Sequence, residues 1–206
     1  DSGAIFICGA NIIIRNNLIH DVHSGQKRCP AWGIYLGCET RDTLVENNLV
    51  YNCLGSLHAW YYNRNITVTN NIFVDAEWCH INFGNPEHLS HENIRIVGNV
   101  IYCTKMKGHL FTVFGERSVP DVCDFNVIFS AVNSVLDNPV IEKLEGVTAF
   151  EDLRGLGLDA HTITANPQFV DLGNDDYTLK PSSPAFKLGF RPIDLSNVGL
   201  RGRNTD

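Results

Sequence analysis

Four short apolar segments of similar composition carry aromatic and imidazole side chains that could contact a ligand. They are IFICG, IYLGC, LHAWY and CHINF, which begin at residues 5, 34, 57 and 79. If each is a β-strand, alternate residues point to the same side, and the four segments can be aligned. One predicted outward column contains Phe6, Tyr35, His58 and His80, and it continues to His109 in GHLFTVFG. A second, parallel column contains Cys8, Gly37, Trp60 and Asn82.

The chemistry expected of these columns is sugar recognition. Apolar sugar faces stack on aromatic rings, while imidazole and amide groups bond hydroxyls. Two long segments, HSGQKRCPAW and NPEHLSHEN, flank the strip, and insertions on one side of a repeat protein commonly build its functional face. We therefore predict His58 and His80 as catalytic residues. The predicted substrate-binding residues are Tyr35, Trp60, Asn82 and His109. The alternative is that loops cover this face and bury its side chains as ordinary packing.

Two further histidine clusters could do chemistry. His20, Asp21 and His23 form HDVH, in which an Asp can orient a His as a general base, although such residues also decorate turns. His23 is a further substrate-binding candidate. His88 and His91 in EHLSHE have no third ligand at useful spacing, so we predict neither a metal site nor a cofactor.

A recurring phrase indicates the elements that position these residues. An Asn followed by three mostly apolar residues occurs in RNNLIHDV, ENNLVYNC, TNNIFVDA, VGNVIYCT and DFNVIFSA. The shared residues are Asn17, Asn48, Asn71, Asn99 and Asn126. Their separations of 31, 23, 28 and 27 residues fit a base period of about 22 residues with loop insertions.

This period is filled best by three short strands. It is too short for a βαβ unit of about 30 residues, and it has no 3.6-residue apolar stripe. The first repeat offers IFICG, NIIIRN and LIHDV, which are rich in β-branched residues and separated by Gly and Asn. Coils stacked about 4.8 Å apart would pair every strand with its copy. The five Asn would then occupy equivalent corners, where Asn tolerates a left-handed backbone and its amide can bond the next coil.

Composition sets the class of protein. The chain has 206 residues, of which 44% are hydrophobic and 19% charged, which suits one domain with one core. A net charge of −7 without a Lys/Arg cluster argues against a nucleic-acid partner. No apolar run approaches the roughly 20 residues of a membrane span, and no signal peptide is visible. Because the chain opens at Asp1 within a strand-bearing segment, we expect upstream coils or a partner chain to cover its N-terminal edge.

The cysteines carry no metal signature. Seven Cys are spread without CxxC spacing, and most lie inside apolar runs such as AIFIC and VIYC. We predict buried free thiols, with one or two disulfides as the alternative.

The repeat pattern ends at about residue 133. The segment VTAFEDLRGLGLDAHTI is the only one that predicts a short helix, and the following residues are rich in turn signals. We assign residues 1–132 to β-helix coils and residues 133–206 to the last coil and a C-terminal cap of the same domain. A solenoid needs a cap because its last coil otherwise leaves unpaired strand edges and an open apolar core.

At the level of whole motifs, the chain resembles a known group of proteins. DSGAIF, RNNLIHDVHS, GIYL and the tail NPQFVD…DYTLKPSSPAFKLGFRPIDLSNVG resemble the right-handed parallel β-helix repeat proteins of the pectate-lyase-like superfold. They are most similar to the β-helical glycoside hydrolases that include fucosidases and xylanases. The resemblance covers nearly the whole chain and implies an all-β right-handed parallel β-helix, of about five coils by the repeat count. It also implies a poly- or oligosaccharide partner and an extracellular or periplasmic location.

The same resemblance identifies candidate carboxylates. Glycoside hydrolysis needs two carboxyl groups, one to protonate the leaving oxygen and one to act as nucleophile or to activate water. The resemblance assigns one such role to Asp1 in DSGAIF. It would place the second Asp directly after GIYL, where this chain has Gly37. Glu39, two residues on, is the predicted replacement, and Asp42 in a turn is a poorer one.

Three functions remain open from sequence. The first is a glycoside hydrolase of plant or microbial polysaccharide. The second is a polysaccharide lyase or epimerase, which would need a cation near a base, and the available Arg64, Lys105 and Lys107 are scattered. The third is a non-catalytic carbohydrate-binding or structural β-helix.

Overall fold

The computed structural model describes residues 2–25, 30–84, 90–104, 109–114, 120–131, 140–141, 149–196 and 198 of the chain. Three short strands recur in each repeat. The strands of the first three repeats are β1 (Ser2–Ile7), β2 (Ala10–Arg15), β3 (Leu18–His20), β4 (Ala31–Leu36), β5 (Arg41–Glu46), β6 (Leu49–Tyr51), β7 (Gly55–Trp60), β8 (Arg64–Thr69) and β9 (Ile72–Val74). Those that follow are β10 (Cys79–Gly84), β11 (Glu92–Val97), β12 (Val100–Cys103), β13 (His109–Phe114), β14 (Val122–Asp124), β15 (Val127–Ser130) and β16 (Val140–Ile141). The C-terminal segment contains helix α1 (Phe150–Gly155), β17 (Ile163–Thr164), β18 (Phe169–Asp171) and β19 (Asp176–Leu179).

Every third strand of the repeats belongs to the same parallel sheet. Sheet A contains β1, β4, β7, β10, β13 and β16; sheet B contains β2, β5, β8, β11 and β14; sheet C contains β3, β6, β9, β12, β15 and β17. All described pairings within these three sheets are parallel. The predicted all-β parallel solenoid is therefore confirmed. It makes about 4 turns, slightly fewer than the five coils expected.

The predicted Asn column lies at the corner between sheets B and C. The backbone N–H and the side-chain Nδ2 of Asn17 both donate to Asn48 Oδ1, at 3.1 and 2.8 Å. The same two bonds join Asn48 to Asn71, Asn71 to Asn99, and Asn99 to Asn126. The residue before the column is left-handed in Asn16, Asn47 and Asn70, with φ of 57°, 55° and 54°. The repeat register that the sequence predicted at this corner is confirmed.

The inward sides of the three sheets form one apolar core. Its buried members include Ile34, Leu57 and Ile81 from sheet A, Val45, Val68 and Ile96 from sheet B, and Val50, Phe73 and Ile101 from sheet C. Each fully buried side chain of this kind contributes about 1.5–3 kcal/mol relative to leaving it exposed. Phe150 and Leu153 of α1, together with Leu158, join the same core. The helix therefore packs against the same core as the strands, and the assignment of residues 133–206 to a last coil and cap stays a prediction.

The segment after β17 packs back along the outer side of sheet C. β18 and β19 pair antiparallel, and two short 3₁₀ helices, Leu172–Asn174 and Pro184–Leu188, accompany them. A second buried cluster joins this segment to the outer side of sheet C; it includes Phe169, Tyr177 and Phe190 with Leu49, Ile72 and Val100. Arg191 N–H donates to Asn70 Oδ1 at 2.6 Å, and Asn70 Nδ2 donates to Arg191 O at 2.8 Å. The C-terminal segment therefore reaches back to the third coil.

Within the part of the chain that the structure describes, no helix has the length and apolar character that crossing a membrane requires.

Candidate functional site

The outer side of sheet A carries the predicted column of aromatic and imidazole groups. Strand register places Phe6 beside Tyr35 and Tyr35 beside His58, as predicted. The next position is Asn82, followed by Thr112. The first three members of the column are therefore confirmed, and the later members differ.

His80 does not belong to this column. Its ring is fully buried, with Nδ1 at 3.4 Å from Ser56 Oγ and Nε2 at 2.9 Å from Cys103 Sγ. Burial lowers the pKa of His80 to about 4, so the ring is neutral near pH 7. The predicted outward position of His80 is wrong, because the side chain lies in the core.

Strict alternation fails at one position of these strands. In β7 and β10 two successive residues face inward, Ser56 with Leu57 and His80 with Ile81. The ladder between the two strands accordingly pairs Cys79 with Gly55 and Ile81 with Leu57 but omits the position between them. Strict alternation along the strand would put His80 on the same outer side as Asn82. The two successive inward residues place it in the core instead.

Asn82 was assigned to the column of Trp60, and that assignment is also wrong. The register pairs Asn82 with His58, and it pairs Trp60 with Gly84. Asn82 is 1% exposed and lies directly beside His58 on the same side of the sheet. The two residues predicted for different roles are thus immediate neighbours.

His109 was expected to continue the column of His58. Instead it pairs with Cys79 at the start of β10, and Thr112 lies next to Asn82. Thr112 is fully buried, and its Oγ1 lies 3.2 Å from Cys79 Sγ. The predicted position of His109 is therefore wrong by three residues.

Five rings form a cluster on the outer side of sheet A, which we call the aromatic face: Trp32, Tyr35, His58, Trp60 and Trp78. The ring centroid of His58 lies 4.4 Å from that of Trp32, with the two planes 14° apart. It lies 4.6 Å from Tyr35 and 5.3 Å from Trp60. Trp78 extends the cluster at 5.5 Å from Trp32. His58 is therefore surrounded by aromatic rings.

Sequence reasoning missed Trp32 and Trp78 as members of this face. Both lie at the beginning of sheet A strands, Trp32 in the second position of β4 and Trp78 directly before β10. The strand register pairs Trp32 with Gly55 and Gly55 with Cys79, so Trp78 stands one position before the equivalent of Trp32. A period-of-two pattern therefore does not group the two tryptophans, and only the ring contact in the folded chain does.

Two glycines make room for the tryptophans. A Cβ added at Gly55 would stand 2.2 Å from Trp32 Cζ3, and one added at Gly84 would stand 2.2 Å from Trp60 Cε3. Such distances are far shorter than van der Waals contact, so each indole lies against glycine backbone of the following coil. The two glycines thereby fix where the rings of the aromatic face can lie.

The aromatic face is mostly buried. Tyr35 is 7% exposed, His58 2% and Trp32 1%, whereas Trp60 and Trp78 are half-buried. The expectation of a solvated strip is therefore wrong, and the alternative of a covered face describes these residues. The surface of the cluster that solvent reaches is provided by Trp60 and Trp78.

Three buried polar atoms on this side of sheet A have no hydrogen-bond partner among the described residues: Trp32 Nε1, His58 Nδ1 and Asn82 Oδ1. A buried polar group left unpaired costs about 1–3 kcal/mol. Burial also lowers the pKa of His58 to about 3, so the ring is neutral near pH 7. A neutral imidazole can bond a hydroxyl, but with so low a pKa it is a weak general base.

The carboxylate expected after β4 is replaced by a closely packed glycine. A Cβ at Gly37 would stand 2.5 Å from Cys8 Sγ and 2.8 Å from Phe6 Cε2, so an Asp could not stand here without moving both. Glu39 is exposed, has a left-handed backbone with φ of 53°, and donates its N–H to Tyr61 O at 3.0 Å. Asp1, the other predicted carboxylate, lies outside the described residues. The role of Glu39 therefore stays a prediction.

The HDVH cluster begins at His20, the last residue of β3, and continues into the segment that leads to β4. It lies at the opposite end of the sheet A strands from Glu39. His20 Nδ1 lies 2.7 Å from Asp21 Oδ2, and a hydrogen bond from His20 lowers the pKa of Asp21. His23 Nδ1 lies 3.6 Å from Glu77 Oε1 across the same corner. These exposed pairs do not contact the aromatic face in any described interaction.

The structure describes the remaining candidates only in part. His91 is buried, its Nδ1 accepts a hydrogen bond from Asn63 N–H at 3.0 Å, and burial lowers its pKa to about 4. The Arg64 guanidinium lies 4.8 Å from the centre of the Tyr62 ring. His88, Lys105 and Lys107 lie outside the described residues. Among the residues that are described, no group of three His, Cys, Asp or Glu side chains is arranged to hold a metal ion.

Six described cysteines are free thiols. Cys53, Cys79, Cys103 and Cys123 are buried, as predicted, whereas Cys8 and Cys38 are exposed and differ from the prediction. Cys29 lies outside the described residues.

Comparison with known proteins identifies the family. A scan of family models matches residues 1–118 to the right-handed β-helix region. Separate searches of curated proteins and of solved structures returned no match to the chain. Because the matched residues make up more than half of the sequence and carry the parallel solenoid described above, the chain belongs to the family of right-handed β-helix proteins.

Proposed function

We propose that this protein is a carbohydrate-active β-helix protein and that its aromatic face binds a saccharide ring. The observation that carries the proposal is the set of three unpaired polar atoms on Trp32, His58 and Asn82, which lie among stacked rings. A saccharide offers both an apolar face for the rings and hydroxyl groups for the unpaired atoms. Binding would therefore relieve the cost of leaving these atoms without partners.

The half-buried tryptophans provide the entrance to this face. Trp60 lies beside His58 and is held against the backbone of Gly84. Its indole offers a flat surface on which a sugar can stack. A saccharide would thus meet Trp60 and Trp78 before it reaches the buried polar atoms.

The first candidate activity is hydrolysis of a plant or microbial polysaccharide outside the cell. It is supported by the resemblance to β-helical glycoside hydrolases and by the parallel β-helix fold, which presents binding surfaces along its length. In this reaction Glu39 and Asp1 supply the two carboxyl groups. His58 then binds a hydroxyl of the substrate and transfers no proton.

A specific observation favours a second candidate, saccharide binding without catalysis. Cys8 and Phe6 occupy the space that a carboxylate at Gly37 would need. Glu39 is exposed at the corner, and no described interaction joins it to His58. A protein that only binds would retain the aromatic face and have no carboxyl pair.

Binding is tested by replacing the accessible ring. Trp60→Ala should weaken affinity for the best ligand of an oligosaccharide panel by about tenfold, measured by calorimetry, because a stacked aromatic contact contributes about 0.5–1.5 kcal/mol beyond its buried area. Phe125→Ala is the matched control, since Phe125 is 41% exposed and stacks on His161 away from sheet A. Equal affinity in the two variants, or no ligand in the panel for the unmodified protein, would contradict the proposal.

Catalysis is tested on the same panel by product analysis. Glu39→Gln should reduce turnover by at least about a hundredfold if this carboxylate takes part, whereas Glu151→Gln on α1 should have no effect. Retained binding with no turnover in the unmodified protein would identify the second candidate. A product with the ultraviolet absorbance of an unsaturated uronate would instead identify a lyase.

A further inference from the structure

A cavity separate from the aromatic face lies between the outer side of sheet C and the C-terminal segment. Its volume is about 290 Å³. Pockets for small molecules begin at roughly 300 Å³, so the cavity has room for one small ligand. Sheet C contributes Leu18, Leu49 and Ile72, which are neighbours in the strand register, together with Tyr51.

The inner wall of this cavity is apolar. Leu49 and Ile72 on sheet C and Phe190 on the opposite side are all buried. The three side chains belong to the same apolar cluster, which joins the C-terminal segment to sheet C. An occupant of the cavity would therefore place hydrocarbon against this wall, because a polar group there would lose its hydrogen bonds to water.

One end of the cavity carries carboxylates. Asp175 and Asp176, which lie at the beginning of β19, both line it. The Tyr177 hydroxyl donates to Asp175 Oδ1 at 3.1 Å, and no described hydrogen bond occupies Asp175 Oδ2. Tyr177 thus holds a carboxylate at the cavity wall with one oxygen open to a ligand.

The charges around this end are negative. Burial raises the pKa of Tyr177, and the carboxylates of Asp175 and Asp75 raise it further. Burial also raises the pKa of Tyr51, with further contributions from Asp175 and Asp21. None of the described residues that line the cavity is Lys or Arg. The surroundings therefore favour a cation and disfavour an anion.

Two tyrosine rings make the cavity better suited to an organic cation than to an inorganic one. Tyr51 and Tyr177 both line it, with ring centroids 4.9 Å apart and planes inclined by 46°. An ammonium group within about 6 Å of an aromatic ring is attracted by the ring face. An inorganic cation would leave the apolar wall without contacts. Carboxylate, rings and apolar wall together match a ligand that has one charged end and one hydrocarbon end.

We propose that this cavity binds a small organic ammonium ion, with its charged group beside Asp175 and its hydrocarbon body against Leu49, Ile72 and Phe190. The hydrogen bond from Tyr177 positions the carboxylate that pairs with the ammonium group. Because the cavity lies on sheet C, the proposal does not depend on saccharide binding by the aromatic face on sheet A.

Three probes of similar shape and different charge test the proposal: benzylammonium, benzyl alcohol and benzoate. Binding is followed by NMR titration of the methyl groups of Ile72 and Leu49, with the methyl groups of Ile34 in the core as the reference. Benzylammonium should shift the Ile72 and Leu49 signals and bind about fivefold more tightly than benzyl alcohol, because an ion pair is added to the same apolar contacts. Benzoate should bind more weakly than the alcohol.

A matched pair of variants locates the charge that matters. Asp175→Asn should remove most of the advantage of benzylammonium over benzyl alcohol and leave the affinity for the alcohol unchanged. Glu151→Gln removes one negative charge on α1 and should change neither affinity. Benzoate binding as tight as that of benzylammonium, equal affinities in the two variants, or no shift of the Ile72 and Leu49 signals with any probe would overturn the proposal.

Discussion

The indole of Trp60 lies against the backbone of Gly84, the residue that pairs with it in the following coil. A Cβ at Gly84 would stand 2.2 Å from Trp60 Cε3 and 3.2 Å from His58 Cε1. The Trp60 ring can lie there only because Gly84 of the next coil has no side chain.

Gly84→Ala should displace Trp60 and destabilise the protein. Forcing an extra methyl into a packed site costs about 1–3 kcal/mol, which urea denaturation would detect. Tryptophan fluorescence of the folded protein should change at the same time. Gly155→Ala is the control, because a Cβ at Gly155 meets no atom within 4 Å. Equal stability of the two variants would mean that Trp60 can move away without cost.

Asn71→Ala should be among the more damaging substitutions in the chain. Asn71 Nδ2 donates to Val45 O at 2.9 Å, and Asn71 Oδ1 accepts from Asn48 N–H at 2.9 Å. Truncation leaves both backbone groups buried without partners, at about 1–3 kcal/mol each. The expected loss in the free energy of unfolding is therefore roughly 2–5 kcal/mol.

The control for the Asn column is an exposed Asn. Asn174 donates to Asp171 Oδ2 at 2.7 Å on the surface, so Asn174→Ala should cost under about 1 kcal/mol. If Asn71→Ala and Asn174→Ala unfolded at the same urea concentration, the hydrogen bonds of the Asn column would contribute no more to stability than a surface hydrogen bond.

Acid should destabilise the protein before its carboxylates titrate. Burial lowers the pKa of His58, His80 and His91 to about 3, 4 and 4, from 6.5 in an unfolded chain. Above pH 6.5 the three histidines are neutral in both the folded and the unfolded state. Below pH 6.5 they become protonated in the unfolded chain while they stay neutral in the folded protein. The free energy of unfolding should therefore fall as pH falls from about 6.5 towards about 4, by up to about 1.4 kcal/mol per pH unit for each ring.

Urea denaturation from about pH 7 to about pH 4.5 measures this slope. His80→Gln should lower the free energy of unfolding at pH 7. It should also make the dependence of that free energy on pH less steep, because one of the three buried histidines is gone. A free energy of unfolding that stays constant over this range would show that the buried rings take up protons in the folded state.

Thiol labelling should separate two classes of cysteine. Cys8 and Cys38 are exposed, whereas burial raises the pKa of Cys53 to about 11 and that of Cys79 to about 12. Since the thiolate is the reactive form, Cys8 and Cys38 should react with a maleimide within minutes while the buried thiols react only after unfolding. Peptide mapping by mass spectrometry identifies the labelled positions, with urea-unfolded protein as the control. Rapid labelling of Cys53 or Cys79 in the folded protein would contradict the burial described here.

The sequence predicted that His58 points outward, which would make His58→Ala a clean test of function. Because His58 is buried, the substitution also affects stability. His58 contacts Trp32, Tyr35 and Trp60, so its removal leaves a cavity among buried rings. We expect a loss of roughly 2–4 kcal/mol in the free energy of unfolding. Trp60→Ala and Glu39→Gln therefore report on function more cleanly, because both side chains are at least partly exposed.

The amino-acid sequence by itself determined the repeat and the class of fold. Asn17, Asn48 and Asn71 could be placed at one corner because the chemistry of that corner is local. The phrase of an Asn followed by apolar residues recurs at every such corner and marks it in the sequence. The left-handed backbone that was expected of the column Asn lies one residue earlier, at Asn16, Asn47 and Asn70. The apolar strands on either side follow from the same short-range pattern, and their parallel stacking from the repeat of that pattern.

Only the tertiary structure decided which residues share the outer side of sheet A and how deeply they lie. The register between β7 and β10 places Asn82 beside His58, and two successive inward residues turn His80 into the core. Neither feature has a local signature, because register is set by pairing with another coil and burial by whatever packs above the sheet. For the same reason the sequence gives no sign of the role of Gly37 and Gly84. In the folded chain, side chains of the preceding coil occupy the space where a side chain at either position would stand.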